Sequence, residues 1–207
     1  AFDLAEKYRT VVIILSDGGI SQMIEKVVLP EAKEHDMNKF DWAIKSYKKP
    51  EEPKVKVTNL DRSMDYAEYD QMMRTKFKTM HENEQRWEEF MTEDAEFILV
   101  AYGISSRVCK SAVRLARKEG LKLGLLRPVT VWPFPAKAFE KLTEQVKGLA
   151  TVEMSLSAQM AQDVLLASKH RFPVHSYLTS KYVATPKGIV EYCWRALEGK
   201  EEELEVY

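Results

Sequence analysis

A chain of 207 residues that is 45% hydrophobic and 30% charged has enough apolar content to bury a core, which excludes a disordered tract. Its net charge of −1 supplies no overall field for nucleic acid or anionic lipid, and the mixed runs YKKP and EEPKVKV read as solvated surface. It holds no apolar run of about 18 residues and no visible signal peptide, so a membrane span is not expected.

Residues 2–9 place Phe2, Leu4, Ala5 and Tyr8 on one helical face. Residues 11–15, VVIIL, read as a strand that needs neighbours on both sides. Only half an amphipathic helix precedes that strand, and the first residue is not methionine. The start therefore reads as a cut through a domain, with residues 1–30 as its tail. SDGG breaks the strand, and Ile20, Met23, Ile24, Val27 and Val28 then follow a helical spacing up to Pro30. Residues 31–64 are charged, proline-containing and aperiodic, the pattern of a surface linker. Residues 65–91 read as one long helix, with Tyr66, Tyr69, Met73, Phe77, Met80, Trp87 and Met91 forming a packing stripe.

From residue 95 onward, strands and helices alternate. EFILVAYG, LKLGLLRP, LATVEM and FPVHSYLT read as strands. SSRVCKSAVRLARKEG, FPAKAFEKLTEQVKG, SAQMAQDVLLASKH and TPKGIVEYCWRALEG read as helices. The first helix is expected to start on a serine cap and to end at Gly120. Short links between alternating elements predict an α/β fold, a parallel sheet with helices on both faces, over residues 95–207. The two cysteines, Cys109 and Cys193, fall in separate helices without a C-x-x-C pair. They read as reduced, buried thiols of a cytoplasmic protein and supply no zinc or iron–sulfur cradle.

The functional edge of a parallel sheet is at the carboxyl ends of its strands. In LSDGG, Asp17, Gly18 and Gly19 could approach a phosphate or a metal, or form an Asx-type turn. No G-x-G-x-x-G or Walker pattern accompanies them. In AYGISSR, Ser105 or Ser106 either caps a helix or binds an anion through free amides. In RPVTVWPFP, prolines flank Trp132 and Phe134 and stop the strand. A stiff aromatic loop of that kind suits an interface or packs on its own domain. In VEMSLSAQM, Glu153 ends a strand and Gln159 opens a helix. Glu153 could act as a general base, but it has no His, Lys or Cys partner at readable spacing. His170 and His175 belong away from this edge, so no nucleophile–base arrangement can be assembled.

SDGGISQMIEKVVLPE, the run from EFILVAYG to WPFP, and VEMSLSAQMAQDV together resemble the α subunit of 2-oxoacid:ferredoxin oxidoreductases of the 2-oxoglutarate and 2-oxoisovalerate types. The resemblance implies the tail of a thiamine pyrimidine-binding domain (1–30), a connecting segment (31–94) and a transketolase C-terminal-like domain (95–207). It implies a component, inactive alone, of an enzyme that decarboxylates a 2-oxoacid oxidatively with coenzyme A and passes electrons to ferredoxin. Thiamine diphosphate, magnesium and an iron–sulfur cluster would belong to the parent complex, with a thiamine-binding β subunit and ferredoxin-like subunits as partners. No catalytic, cofactor-binding or metal-binding residue is assigned to this chain. Asp17, Gly18, Arg127, Trp132, Glu153, Gln159 and Met160 are expected to face a partner or substrate. The chain departs from the family pattern at Ser155 and Ala158, where Asn and Gly are usual, and at Gly19, where many relatives carry a bulkier residue. The competing readings are a non-catalytic interaction module acting through RPVTVWPFP, and a small-molecule binder using SDGG and AYGISS. An exposed strand edge in VVIIL would also favour a homodimer.

Overall fold

The computed structural model describes residues 1–32, 34, 39–40, 42 and 65–203, so most of the expected 31–64 linker lies outside the described residues. The chain divides into two units, residues 24–76 and residues 1–23 with 77 onward. The second unit contains the sheet.

Helix α1 (Phe2–Tyr8) forms where the apolar spacing predicts it. The expected strand at 11–15 does not form. Val11, Ile13, Ile14 and Leu15 are between 73% and 84% exposed. A strand exists only by pairing, and no described strand lies beside this one. The expected helix over 20–28 is cut to α2 (Gly18–Ser21), and Ile24, Val27 and Val28 stand exposed. A short amphipathic pattern gains its helical stability from the surface it packs on, and these residues find none among the described residues.

The long helix also stops early. Helix α3 (Tyr66–Asn83) buries Met80, while Tyr66, Met72 and Phe77 stay exposed. At its end the Asn83 and Gln85 side-chain amides donate to the carbonyls of Thr79 and His81, which competes with continuing the helix. Trp87 is then drawn into β1 (Trp87–Phe90), an antiparallel edge strand running beside β3 (Leu123–Pro128).

The remaining elements follow the expected alternation: β2 (Phe97–Val100), α4 (Gly103–Lys118), β3, α5 (Ala136–Glu140), β4 (Gly148–Glu153), α6 (Gln159–Ala167), β5 (Val174–Leu178) and α7 (Pro186–Leu197). The sheet order is β1-β3-β2-β4-β5, with every pair parallel except β1–β3. Alternation along the buried strands splits the apolar residues into two cores. Phe97, Leu99, Leu125 and Val152 pack under α4 and α7, whereas Ile98, Val100, Leu126 and Leu149 pack under α5 and α6. Gly120 ends α4 at φ +88, with the Leu121 amide donating back to Ala116 O and the Gly120 amide to Arg117 O. Helix α5 is far shorter than the sequence suggests. The Arg171 guanidinium takes the carbonyls of Phe139 and Leu142, which a longer helix would need for itself. Cys109 and Cys193 are free and fully buried in the α4–α7 core.

Helix α1 is tied to the end of α3 through Glu84. Lys7 Nζ and Tyr8 Oη each donate to Glu84 Oε1 at 2.7 Å, and Arg86 Nη2 donates to Oε2 at 3.1 Å. Those donors, Lys7 first, lower the Glu84 carboxyl from 4.5 to about 2. Its contribution to stability is therefore complete above about pH 4.5 and fades as the pH falls toward about 2. Thermal melts of the wild type and Glu84→Gln should differ at pH 7 and converge by pH 2. A constant difference across that range would rule out this linkage.

Candidate functional site at the sheet switch point

Strand β2 connects through α4 to β3 on one side. Strand β4 connects through α6 to β5 on the other. β2 and β4 are neighbours, so their carboxyl ends flank the point where the winding reverses, which is where open α/β sheets place their ligands. Tyr102 and Gly103 follow β2, and Glu153 ends β4.

Asp17 reaches the first of these ends from the N-terminal segment. Its Oδ1 accepts from the Ile20 amide at 2.8 Å and its Oδ2 accepts from the Ile104 amide at 2.8 Å. One carboxylate thus caps both α2 and α4. Neither expected serine does so. Ser106 Oγ donates to Gly103 O, Ser105 is buried, and no side chain of α4 itself caps its start. Gly103 holds φ +58, and a Cβ there would stand 2.5 Å from Asp17 Oδ2. Gly18, next to Asp17, has open space around it.

At the second end, Glu153 is 6% exposed. Its Oε2 accepts from the Met160 amide at 3.0 Å, fixing the start of α6, while Oε1 is enclosed and has no hydrogen-bond partner among the described residues. Gln159 is exposed as the first residue of α6, and Met160 is buried in the core. Tyr102 is half-exposed, and its phenol is pushed above the usual range, first by burial and then by the Glu153 and Asp163 carboxylates. Burial likewise raises the Asp163 carboxyl.

Arg127 and Trp132 lie on the other side of β2, with β3 and its following loop. Arg127 faces Glu88 across the β1–β3 pair and donates to it at 2.8 Å, leaving its buried Nε without a partner. Trp132 is 59% exposed and meets Phe77 edge-on at 5.9 Å, in a loop held by the Thr130 hydroxyl donating to Pro133 O. Phe134 turns inward and stacks on Phe139, so only one of the two loop aromatics faces outward. The structure therefore brings Glu153, Gln159 and Met160 together in one turn and sets Arg127 and Trp132 apart from them. His175 is buried in β5 beside Phe97, away from the edge.

Sequence reasoning passed over Tyr102, although its place between a strand end and a glycine was a usable signal. It also passed over the β5–α7 turn. There Tyr177, Thr179, Lys181, Tyr182 and Thr185 line a cavity of about 350 Å³.

No group of three His, Cys, Asp or Glu side chains among the described residues is placed to hold a metal. The buried thiols do not suit cluster ligation, since burial pushes Cys193 to about 12 and Cys109 higher still. Both Asp17 oxygens are occupied by amides. No described nucleophile lies beside a base at this edge. The arrangement offers groups that can bind and position.

Residues 95–186 match the family model for pyruvate:ferredoxin oxidoreductase core domain II. The matched stretch runs from just before β2 to the first residue of α7. Similarity to curated proteins extends over most of the chain. It is 45% identical over 169 residues to ketoisovalerate oxidoreductase subunit VorB of Methanothermobacter marburgensis, covering 81% of this chain and 47% of that protein. It is 30% identical over 201 residues to 2-oxoglutarate synthase subunit KorA of Methanocaldococcus jannaschii, covering 82% and 54%. The chain thus spans about half the length of the curated relatives it matches. Its fold aligns with a 2-oxoglutarate:ferredoxin oxidoreductase from Magnetococcus marinus at a TM-score of 0.56 and 19% identity, covering 64% of this chain and 24% of that one. No helix among the described residues is long and apolar enough to cross a membrane.

Proposed function

We propose that this chain is part of the α-type subunit of a cytoplasmic 2-oxoacid:ferredoxin oxidoreductase. In that enzyme a 2-oxoacid and coenzyme A give an acyl-CoA and carbon dioxide, and two electrons pass to ferredoxin. The observation that carries the reading is the 45% identity to a ketoisovalerate oxidoreductase subunit across 81% of the chain. The edge of the sheet supports the reading with groups suited to binding, Glu153 and Tyr102 among them. Its role is assembly and shaping of the site. Thiamine diphosphate, magnesium and the iron–sulfur cluster are assigned in this reading to the rest of the complex. Residues 1–30 serve as the tail of a pyrimidine-binding domain, which would give the exposed VVIIL segment the neighbouring strands it lacks here.

Affinity purification of the native assembly through a tag on this chain tests the reading. Thiamine-binding and iron–sulfur subunits are expected to co-purify, together with dye reduction that depends on coenzyme A and on 2-oxoisovalerate or 2-oxoglutarate. The isolated chain should be inactive. Recovery of the chain without such subunits would favour an interaction module built on the Trp132 loop.

A further inference from the structure

We propose that Glu153 is the receptor for a cationic side chain, an arginine or lysine, presented by a partner subunit that docks on the carboxyl edge of the sheet. The inference rests on the oxidoreductase reading, since it takes that partner to be the thiamine-binding subunit.

The first observation is an unmet acceptor. Glu153 is 6% exposed, and its Oε2 is satisfied by the Met160 amide. Its Oε1 is enclosed and finds no donor within the described residues. A buried carboxylate oxygen in that condition bears the full penalty of desolvation, and a donor from outside removes it. The second observation is the sign of the surroundings. Asp163 lies one turn further along the same helix, no described cation pairs with it or with Glu153, and both carboxylates act on the Tyr102 phenol. The neighbourhood is thus negative as well as short of donors, which selects a cation over a neutral amide.

The third observation is the rim. Met154 is 45% exposed, Leu156 is 88% exposed and Tyr102 is 44% exposed, all at this edge. Long basic side chains lay their aliphatic stems on such apolar residues and send the charged head inward. Oε1 is closed off in the isolated chain, so the incoming group must displace part of the edge. The segment 154–158 is suited to yield, because its hydrogen bonds are short-range: Ser157 N–H to Ser155 Oγ, and Gln159 N–H to Ser157 O.

The test uses the parent-length subunit and its thiamine-binding partner, with affinity measured between them. Glu153→Gln keeps a carbonyl for the Met160 amide and removes the charge. It is expected to weaken the partner at least tenfold with little change in melting temperature. Leu156→Lys, at an exposed position that cannot disturb the core, offers Glu153 a cation in cis and is expected to weaken the partner as well. It remains informative if the first variant melts early. Wild-type affinity in both variants overturns the inference and leaves a trapped water as the partner of Oε1. Failure of the wild-type subunit to bind its partner overturns the oxidoreductase reading, and the inference with it.

Discussion

Gly103→Ala is expected to destabilise the domain by about 2–4 kcal/mol. Gly103 holds φ +58, where a side chain costs about 1–3 kcal/mol of backbone strain. The added Cβ would also stand 2.5 Å from Asp17 Oδ2, so the carboxylate must leave the Ile104 amide. A lost helix cap costs about 0.5–2 kcal/mol more. Urea denaturation measures the sum, and a double-mutant cycle with Asp17→Ala separates its parts. Once Asp17 is gone the clash and the cap are gone too, so Gly103→Ala should then cost only the strain. Additive effects would show that the two residues do not act on each other.

Leu99→Ala is the second large effect, expected to cost about 2–5 kcal/mol. Leu99 sits at the middle of β2, between Leu125 of β3 and Ala150 of β4, with no exposed surface. Packed helices on both sides of the sheet limit how far the cavity can collapse, which favours the upper part of that range. The shift in urea midpoint should occur at constant slope. A changed slope would mean that the mutation altered the unfolded ensemble instead.

The alternation from β2 to α7 was legible because buried parallel strands are continuous apolar runs and the links between them are short. What was misread shares one cause. VVIIL and residues 20–28 carry strong patterns, but a pattern acquires a structure only when a partner surface is present. WEEF shows the reverse case: it has no strand signal of its own, and β3 makes it a strand. Helix α5 ends where Arg171, distant in sequence, takes its carbonyls. At the site, Glu153 could be singled out from its place at a strand end and Gln159 from its place at a helix start. The true cap of α4 could not, because Asp17 acts on an amide 87 residues away and a local reading settles on the nearby serines instead. The unmet oxygen of Glu153 is likewise a property of packing, invisible in the letters VEM.

The enclosure of Cys109 and Cys193 has a practical corollary. Both thiols stay protonated, Cys193 up to about pH 12, and neither has surface for a reagent to approach. An alkylating dye therefore ignores the folded domain and marks a molecule only after α4 and α7 have parted. The protein carries its own stopwatch for opening, and the labelling rate under native conditions times that event without denaturant.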